Sequence, residues 1–136
     1  MSLWRREAIR RLPELQRQIA DAEGPFLVWP ILRHFLLLPA CHTHPPDRRT
    51  AARIYDYAAW RCWRHPSLTI RPVVADEFYE RLPDDPRTRE DMPRWLSQEQ
   101  FDSLAFVWSY LTPQNFEDLQ REFMKNKARI DKETRC

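Results

Sequence analysis

The sequence predicts an all-α fold, and three observations lead to this prediction. Apolar residues recur at helical spacing in several segments, most clearly from Phe101 to Leu111, where they form one stripe. Twelve prolines can start or separate short helices, whereas the chain has only one glycine, Gly24. The chain also lacks Asn-Gly and similar hairpin turns, which disfavours a β-sheet protein.

The first two helices are predicted from the signals at their ends. Ser2 is a suitable N-cap for a helix through Leu12, because a serine hydroxyl can accept a backbone N–H of the first turn. Pro13 can occupy the first turn of a second helix, and Gly24 can terminate that helix.

The rest of the first half predicts two longer helices separated by a loop. Residues 25–38 are apolar on nearly all sides, which predicts a largely buried helix in spite of Pro30. Residues 39–46 are rich in proline and are predicted to form a loop. Asp47 then caps a long helix that extends to about His65.

The second half is predicted to begin with a helix, an acidic loop and a second helix whose N-terminus is marked by a capping box. Apolar residues at helical spacing predict a helix from about Pro72 to Leu82. The proline-rich segment 83–93 reads as a loop. Ser97 and Gln100 have the spacing of a capping box, so a helix should begin there and carry the apolar stripe.

The last helix completes the predicted domain. Thr112 is its expected N-cap, with Pro113 at the first position. Residues 1–126 are therefore predicted to form a single domain of about six or seven helices, arranged as antiparallel hairpins in a bundle or short solenoid. Residues 127–136 are charged and lose periodicity, so this tail is expected to fray.

Charge is distributed unevenly along the chain, although the net charge is only +2. Residues 1–72 carry 12 arginines and 6 carboxylates, a net charge of +6. Residues 73–118 carry 4 arginines and 11 carboxylates, a net charge of −7. The sequence thus predicts a basic N-terminal half and an acidic later part, which can be either solvated surface or the binding surface for a partner.

Composition also excludes several classes of protein. One glycine is too few for phosphate-binding loops and dinucleotide folds. Three cysteines without a regular spacing disfavour a secreted, disulfide-stapled domain. The N-terminus has charges where a signal peptide needs an apolar run, and the longest apolar stretch is too short to span a bilayer. We therefore expect a cytoplasmic protein without a membrane partner.

Two Cys-x-x-His pieces are the best candidates for a metal site. They are Cys41 with His44 and Cys62 with His65, and together they could offer zinc four ligands. However, Cys62 falls on the inner stripe of a predicted helix, and a helical domain of this size needs no metal to fold. Neither cysteine has the surroundings of a catalytic nucleophile. The sequence therefore predicts no metal, no cofactor and no catalytic residue.

Arginines of the first half form two groups that could contact phosphates. They are Arg5, Arg6, Arg10 and Arg11 on the first helix, and Arg48, Arg49 and Arg53 on the helix after Asp47. Interleaved aromatic platforms and a recognition-helix pattern are missing, which disfavours specific binding of nucleic acid. An adaptor that contacts nucleic acid or another protein through this basic half remains an alternative function.

The acidic segment supplies the residues that we expect to bind a partner. Trp95 can pack as a staple against the next helix, or it can be the aromatic anchor of an interface. Carboxylates nearby would form its charged rim, although arginines in the same segment could also pair with them. The candidate partner-binding residues are Asp84, Asp85, Glu90, Asp91 and Trp95.

Four segments of the chain resemble a family of small, all-helical bacterial proteins. They are REAIRRLPELQRQIADAEGPFLVW, IYDYAAWRCWR, FYERLPDDPRTREDMPRWLSQEQFDSL and LTPQNFEDLQREF. The resemblance covers most of residues 5–126, and the turn REDMPRWL is its most distinctive part. Some members of the family look like immunity proteins of bacterial toxin–immunity systems. The resemblance implies no catalytic residues and does not include the Cys-x-x-His pieces.

The sequence as a whole predicts a non-catalytic protein that binds another protein. The resemblance suggests an immunity-like protein that neutralises a cognate toxin. An acidic surface would suit a basic, nuclease-like toxin, because it speeds the encounter and can occupy a site made for phosphates.

Overall fold

The computed structural model describes residues 2–64, 74 and 77–134, and every regular element in these ranges is a helix or a helical turn. The all-α prediction is therefore confirmed. The chain divides into two compact units, residues 1–78 (unit 1) and residues 79–136 (unit 2). The organisation as one domain over residues 1–126 stays a prediction of the sequence.

Unit 1 contains five α-helices among its described residues, together with one 3₁₀ turn and two π-helical turns. In chain order these are α1 (Leu3–Arg11), a 3₁₀ turn (Pro13–Leu15), α2 (Gln16–Asp21), α3 (Val28–Leu32), a π-helical turn (Arg33–Leu37), α4 (Leu38–His42), α5 (Arg48–Ala59) and a second π-helical turn (Trp60–Arg64).

Aromatic rings form the core of unit 1. The ring centroid of Trp29 lies 5.6 Å from that of Tyr57 and 5.3 Å from that of Phe78. Tyr55 contacts Phe78 edge-on at 5.4 Å. Rings of this size bury much apolar area, so a few of them stabilise a short helical unit. The helix predicted from Pro72 lies largely outside the described residues, but the backbone N–H of Phe78 donates to the carbonyl of Val74 as in a helix.

Helix ends in unit 1 agree only in part with local sequence signals, and the prediction that Gly24 terminates the second helix is wrong, because α2 ends at Asp21 with Ala22 as its C-cap. The backbone N–H of Thr50 donates to Asp47 Oδ1 at 3.1 Å, which confirms Asp47 as the cap of α5. Pro13 opens a short 3₁₀ turn that leads into α2, as its missing N–H allows. Ser2 precedes α1 without a hydrogen bond from its side chain, so the predicted cap contact is absent.

The segment from α3 to α4 differs from the prediction in two ways. Helical structure continues to His42, so the predicted loop at 39–46 is wrong as far as that residue. The π-helical turn leaves a backbone carbonyl without its α-helical partner, and this accommodates Pro39, which has no N–H, directly afterwards. The segment is also not buried on all sides, because Phe26 and Phe35 are 54% and 57% exposed.

Unit 2 contains three α-helices among its described residues and two 3₁₀ turns. In chain order these are a 3₁₀ turn (Tyr79–Asp84), α6 (Pro86–Trp95), α7 (Gln98–Ser103), a second 3₁₀ turn (Ala105–Trp108) and α8 (Pro113–Thr134).

Helix α6 packs against α8, and α7 and the second 3₁₀ turn complete the core of unit 2. The ring of Phe101 stacks on that of Phe123 at 4.1 Å between centroids and on that of Trp108 at 5.0 Å. The indole N–H of Trp108 donates to the carbonyl of Tyr79 at 3.1 Å, so the buried tryptophan leaves no open donor.

The acidic segment predicted as a loop is in fact the start of α6. Asp85 is the N-cap, because its Oδ2 accepts the backbone N–H groups of Arg87 at 3.0 Å and Thr88 at 3.1 Å. Pro86 stands at the first helical position, where a missing N–H costs nothing. The prolines that read as loop markers in the sequence are therefore compatible with a helix here.

The capping box at the start of α7 is confirmed, but that helix is shorter than predicted. The N–H of Gln100 donates to Ser97 Oγ at 3.1 Å, and the N–H of Ser97 donates to Gln100 Oε1 at 3.0 Å. Helix α7 ends at Ser103, whose hydroxyl donates back to the carbonyl of Gln100. The apolar stripe then continues through a 3₁₀ turn, in which the N–H of Val107 donates to the carbonyl of Leu104 at 2.9 Å.

Helix α8 is longer than the sequence indicates. Its predicted start is confirmed, since the N–H of Asn115 donates to Thr112 Oγ1 at 3.2 Å. It runs to Thr134, although the charged residues from Lys127 lack the periodicity of the rest of the helix, and the expected fraying of this tail stays a prediction. The charged segment is held because Ile130 is buried and Lys127 Nζ donates to a carbonyl of α6.

Candidate partner-binding surface

The five residues predicted to bind a partner lie on α6 and at the junction before it. Asp84 ends the first 3₁₀ turn of unit 2, and Trp95 is the last residue of α6. A helix of ten residues is about 15 Å long, so these two residues stand at opposite ends of it. Trp95, the predicted anchor, therefore does not form one compact cluster with Asp84 and Asp85 of its predicted rim.

Asp84 and Asp85, although adjacent, have different roles. The Asp85 carboxylate binds the N-terminus of α6, so it serves the helix and is only partly exposed. The Asp84 side chain is 44% exposed, and its nearest ion-pair partner, Arg81, is 3.9 Å away. Of the two, Asp84 is the carboxylate with room for a partner.

Glu90 and Asp91 face basic side chains of unit 2. Glu90 Oε1 lies 3.7 Å from a guanidinium nitrogen of Arg129 on α8. Asp91 Oδ1 lies 3.9 Å from Arg94 Nε, and its side chain is only 21% exposed. Both carboxylates are thus partly neutralised by their own unit.

Trp95 is half-buried at the end of α6, and the next residue, Leu96, is buried at 2% exposure. This position suits the first of the two roles that the sequence suggests for Trp95, which is to pack against the next helix as a hydrophobic staple. A half-buried indole offers less area to a partner than an exposed ring does, and its role as an anchor stays a prediction.

Ion pairs between α6 and α8 explain why the sequence count overstates the acidity of this region. Arg89 Nε donates to Glu122 Oε2 at 2.6 Å, and Arg94 contacts Glu133 at 3.1 Å. Basic residues of α8 lie after residue 118, where the count of −7 ends. The whole of unit 2, residues 79–136, carries 10 basic and 12 acidic residues, a net charge of only −2.

A groove with mixed charge lies between the start of α6 and the middle of α8, with a volume of about 540 Å³. Three carboxylates and two cations line it, which favours water over an apolar ligand. Its lining residues are Pro83, Asp84, Pro86, Arg89, Glu90, Glu122, Lys125 and Asn126.

A second groove of unit 2 is apolar, and we call it the apolar groove. It has a volume of about 390 Å³ and lies between the second 3₁₀ turn and the start of α8. Phe106 at its edge is 59% exposed, while Trp108 in its wall is fully buried. The residues that line it are Ala105, Phe106, Trp108, Ser109, Leu111, Pro113 and Phe116.

Three exposed carboxylates lie close in sequence to residues of the apolar groove. Asp102 lies four residues before Phe106, and Glu117 directly follows Phe116. Both are exposed, as is Glu99 on α7. Within the described residues no lysine or arginine makes an ion pair with any of these three. Their negative charges can therefore contribute to the potential that a partner meets.

Tyr110 belongs to the same segment and is influenced by the carboxylates of Asp84 and Glu80. It stands between groove residues Ser109 and Leu111, is 53% exposed, and its hydroxyl donates to the carbonyl of Glu80 at 3.4 Å. Partial burial, followed by the charges of Asp84 and Glu80, raises the pKa of Tyr110. Asp84 is thus a predicted site residue whose charge acts on Tyr110, which stands between two groove residues in the sequence.

Several arginines of unit 1 are also paired within their own unit. Glu14 binds Arg53 at 2.7 Å, and Glu7 binds both Arg10 and Arg11. The arginines that remain exposed without a carboxylate partner among the described residues are Arg6, Arg17, Arg48, Arg49 and Arg64.

The residues of the proposed zinc site do not show a common centre in the described part of the chain. The side chains of Cys41 and Cys62 are buried, whereas those of His42 and His44 are exposed. His65 lies outside the described residues. Across the described ranges, no three His, Cys, Asp or Glu side chains lie together as metal ligands would. No helix in these ranges is both long and apolar enough to cross a membrane.

No protein-family model matches this chain, and no curated protein or solved structure is similar to it. The resemblance to small bacterial immunity-like proteins therefore stays a prediction of the sequence.

The sequence predictions do not include the apolar groove, although the position of one phenylalanine indicates it. Phe106 falls outside the stripe of apolar residues between Phe101 and Leu111. A large ring on the polar side of an amphipathic segment is expected at the surface, where it can serve a partner. The break after Ser103, which opens the groove, has no comparable signal.

Proposed function

We propose that this chain is a non-catalytic protein that binds a basic protein partner through the apolar groove of unit 2. One observation carries the proposal: the exposed ring of Phe106 borders an apolar groove, and exposed carboxylates that make no ion pair among the described residues lie close to its residues in sequence. In its most concrete form, the chain is an immunity-like protein that neutralises a cognate toxin.

The groove supplies the apolar part of such an interface. Binding energy at protein interfaces concentrates in a few buried aromatic or aliphatic anchors that are shielded from water. The apolar groove could accept an apolar side chain of the partner while Phe106 covers it. Glu99, Asp102 and Glu117 would form the polar rim around this contact.

Charge supports a basic partner. Unpaired carboxylates attract lysines and arginines from a distance and raise the association rate, an effect that salt weakens. A partner segment with an apolar residue between basic residues fits the groove and its rim. A basic toxin that acts on nucleic acid has this chemistry, which is why the immunity-like function is the one that we propose.

The carboxylates of α6 have a smaller role in this proposal than in the sequence prediction. Asp85 caps the helix, and Glu90 and Asp91 face arginines of unit 2. Asp84 is the member of the predicted set that we retain as a contact of the partner outside the apolar groove, because its side chain is 44% exposed and its ion pair with Arg81 is long, at 3.9 Å.

A second candidate function uses unit 1. The exposed arginines Arg6, Arg48 and Arg49 lack carboxylate partners among the described residues, so they can contact phosphates or an acidic protein. This would be the adaptor function, and it involves no residue of the apolar groove.

The first experiment compares two exposed phenylalanines. The partner is sought among the products of neighbouring genes, purified, and titrated with the wild type, Phe106→Glu and the matched control Phe35→Glu. Phe106 and Phe35 are 59% and 57% exposed, so the two changes are similar in kind. We expect Phe106→Glu to weaken binding by roughly 30-fold or more, as for an interface anchor, and Phe35→Glu to leave binding unchanged. Equal losses from both variants would refute the groove as the binding site.

The second experiment separates the two functions by charge. Reversal of Glu99, Asp102 and Glu117 to lysine should lower the association rate, whereas reversal of Glu90 and Asp91 should have a smaller effect. If the adaptor function is correct, Arg48→Glu with Arg49→Glu should abolish binding instead. For the immunity-like function, co-expression of the wild type, but not of Phe106→Glu, should protect cells from the partner. A partner that is not basic, or binding that higher salt leaves unchanged, would contradict the proposal.

A further inference from the structure

Arg61 is a buried cation in the aromatic core of unit 1. Its side chain lies in the π-helical turn after α5, and the residue is 1% exposed. The guanidinium carbon lies 5.0 Å from the ring centroid of Trp29, 5.5 Å from that of Trp4 and 5.6 Å from that of Tyr57. Three aromatic rings therefore surround this guanidinium.

Most of the hydrogen-bonding capacity of Arg61 is unused. Nη1 donates to the hydroxyl of Tyr57 at 3.2 Å, while Nε and Nη2 are buried without a hydrogen-bond partner. The Tyr57 hydroxyl donates in turn to the carbonyl of Trp4 at 3.0 Å. Burial raises the pKa of Tyr57 to about 12, so the phenol is neutral near pH 7 and does not balance the positive charge.

Carboxylates of unit 1 do not balance this charge either. Glu7 is the carboxylate whose field reaches Tyr57, but it is already bound by Arg10 and Arg11 at 2.8 and 3.1 Å. Among the described residues no carboxylate makes an ion pair with Arg61. Burial lowers the pKa of Arg61, but an arginine side chain keeps its charge in proteins.

Arg5 places a second guanidinium on the same indole. Its guanidinium carbon lies 4.8 Å from the centroid of the Trp4 ring, and Nη2 donates to the carbonyl of Ala22 at 2.6 Å. Its Nε is also buried without a hydrogen-bond partner. Trp4 thus contacts two guanidinium groups, in which three donor nitrogens have no hydrogen-bond partner and which make no ion pair with a carboxylate among the described residues.

Such an arrangement is unfavourable unless an anion completes it. A buried charge with unsatisfied donors destabilises the fold, and a methionine of similar volume would avoid that cost. Planar guanidinium groups with free donors are the protein's usual means of holding carboxylate or phosphate oxygens. A π-helical turn, such as the one that carries Arg61, is also frequent at functional sites.

We propose that unit 1 binds a small oxyanion, a carboxylate or a phosphate group, at Arg61, with Arg5 as the second cation and Trp4, Trp29 and Tyr57 as the walls. Trp4 is 9% exposed, whereas Trp29 and Tyr57 are fully buried, so Trp4 on α1 is the wall of the site that lies nearest to solvent. The site is separate from the apolar groove, and the inference does not depend on the proposed partner.

The test uses the full chain and four probe anions. Sodium acetate, inorganic phosphate and sulfate are titrated at constant ionic strength, with chloride as the control for nonspecific salt effects. Binding is followed by the ¹⁵Nε–¹Hε signals of arginine in NMR spectra and by the melting temperature. The signal of Arg61 is assigned as the one missing in Arg61→Met. We expect a saturable shift of this signal and a higher melting temperature with acetate, or with phosphate and sulfate, but not with chloride.

Variants decide whether the response belongs to this site. Arg61→Met should abolish the rise in melting temperature, Arg5→Met should weaken the affinity roughly tenfold through loss of one charged contact, and the control Arg53→Met should preserve both. A response to acetate alone identifies a carboxylate ligand, and a response to phosphate and sulfate identifies a phosphate ligand. If no anion shifts the Arg61 signal in the wild type, or if Arg61→Met still responds, the proposal is wrong.

Discussion

The two units of this chain handle electric charge in opposite ways. Unit 1 keeps the guanidinium of Arg61 inside its core, among aromatic rings and without a carboxylate partner among the described residues. Unit 2 keeps an uncharged aromatic core around Phe101 and pairs its charges at the edges of α6 and α8.

The difference shows that a charged residue indicates a function only where no opposite charge of the same unit pairs with it. Arginines and carboxylates that pair at a surface contribute little energy and leave little charge for a partner. Charges that make no ion pair among the described residues, such as Arg61 in unit 1 and Glu117 in unit 2, are the ones that can bind something outside the chain. Four predictions test this contrast, in order of decreasing effect.

The largest effect should come from the aromatic core of unit 2. Phe101→Ala removes a ring that is 1% exposed and stacks on Phe123 and Trp108, so we expect a loss of about 3–5 kcal/mol in the free energy of unfolding. Phe106→Ala is the matched control and should change stability by less than about 0.5 kcal/mol, because that ring is exposed. Urea denaturation measures both. Similar losses would mean that Phe106 is part of the core rather than of a binding surface.

The next effect should come from the aromatic surroundings of Arg61. Tyr57→Phe removes the hydroxyl that accepts from Arg61 and donates to the carbonyl of Trp4, which should cost about 1–3 kcal/mol. Arg61→Met, by contrast, should be neutral or stabilising in the absence of an anion. In the Arg61→Met background the cost of Tyr57→Phe should be smaller. A large loss of stability from Arg61→Met alone would show that the cation is structural.

A smaller effect should come from the cap of α6. Asp85→Ala removes the acceptor for two backbone N–H groups and should cost about 1 kcal/mol, whereas Asp85→Asn should keep most of the contact. Asp84→Ala is the neighbouring control and should stay within about 0.5 kcal/mol. If Asp85→Ala leaves thermal stability unchanged, its carboxylate is free for a partner, as the sequence suggests.

The smallest effect should come from the surface ion pair between Arg89 and Glu122. A double-mutant cycle with alanine at both positions should give a coupling energy of about 0.2–1 kcal/mol, because both side chains are partly exposed. Addition of 1 M salt should reduce this energy further. A coupling energy well above this range would mean that the ion pair stabilises the packing of α6 against α8, and does not only neutralise two surface charges.

Local sequence signals predicted much of the fold. The capping box of Ser97, the caps Asp47 and Thr112, and the proline at the start of α8 are confirmed, since each depends only on residues within one turn. The start of α6 at Asp85 uses the same local chemistry, but the surrounding prolines made that segment resemble a loop.

Contacts between distant residues set the limit of prediction. The burial of Arg61 depends on Trp4. Tyr57 links the two residues, because its hydroxyl donates a hydrogen bond to the carbonyl of Trp4, 53 positions earlier in the chain. Periodicity places position 61 on the inner face of that helix, seven residues after Ile54, but an unpaired arginine is normally expected in solvent. The acidity of the segment 73–118 was overstated for a similar reason, because its partners lie further along the chain, on α8.

The π-helical turn Arg33–Leu37 has a consequence for how the length of this chain can vary. A π-helical turn holds one more residue than the α-helical turn it replaces. Because the extra residue is taken up within that turn, deletion of one residue there would restore a regular α-helix and leave the residues that follow on nearly the same face. Ala40 and Cys41, 5% and 4% exposed, would then stay in the core. Variants of this chain should therefore tolerate the loss of one residue within Arg33–Leu37 better than a deletion in the regular helices on either side, which would rotate the residues beyond it by about 100°.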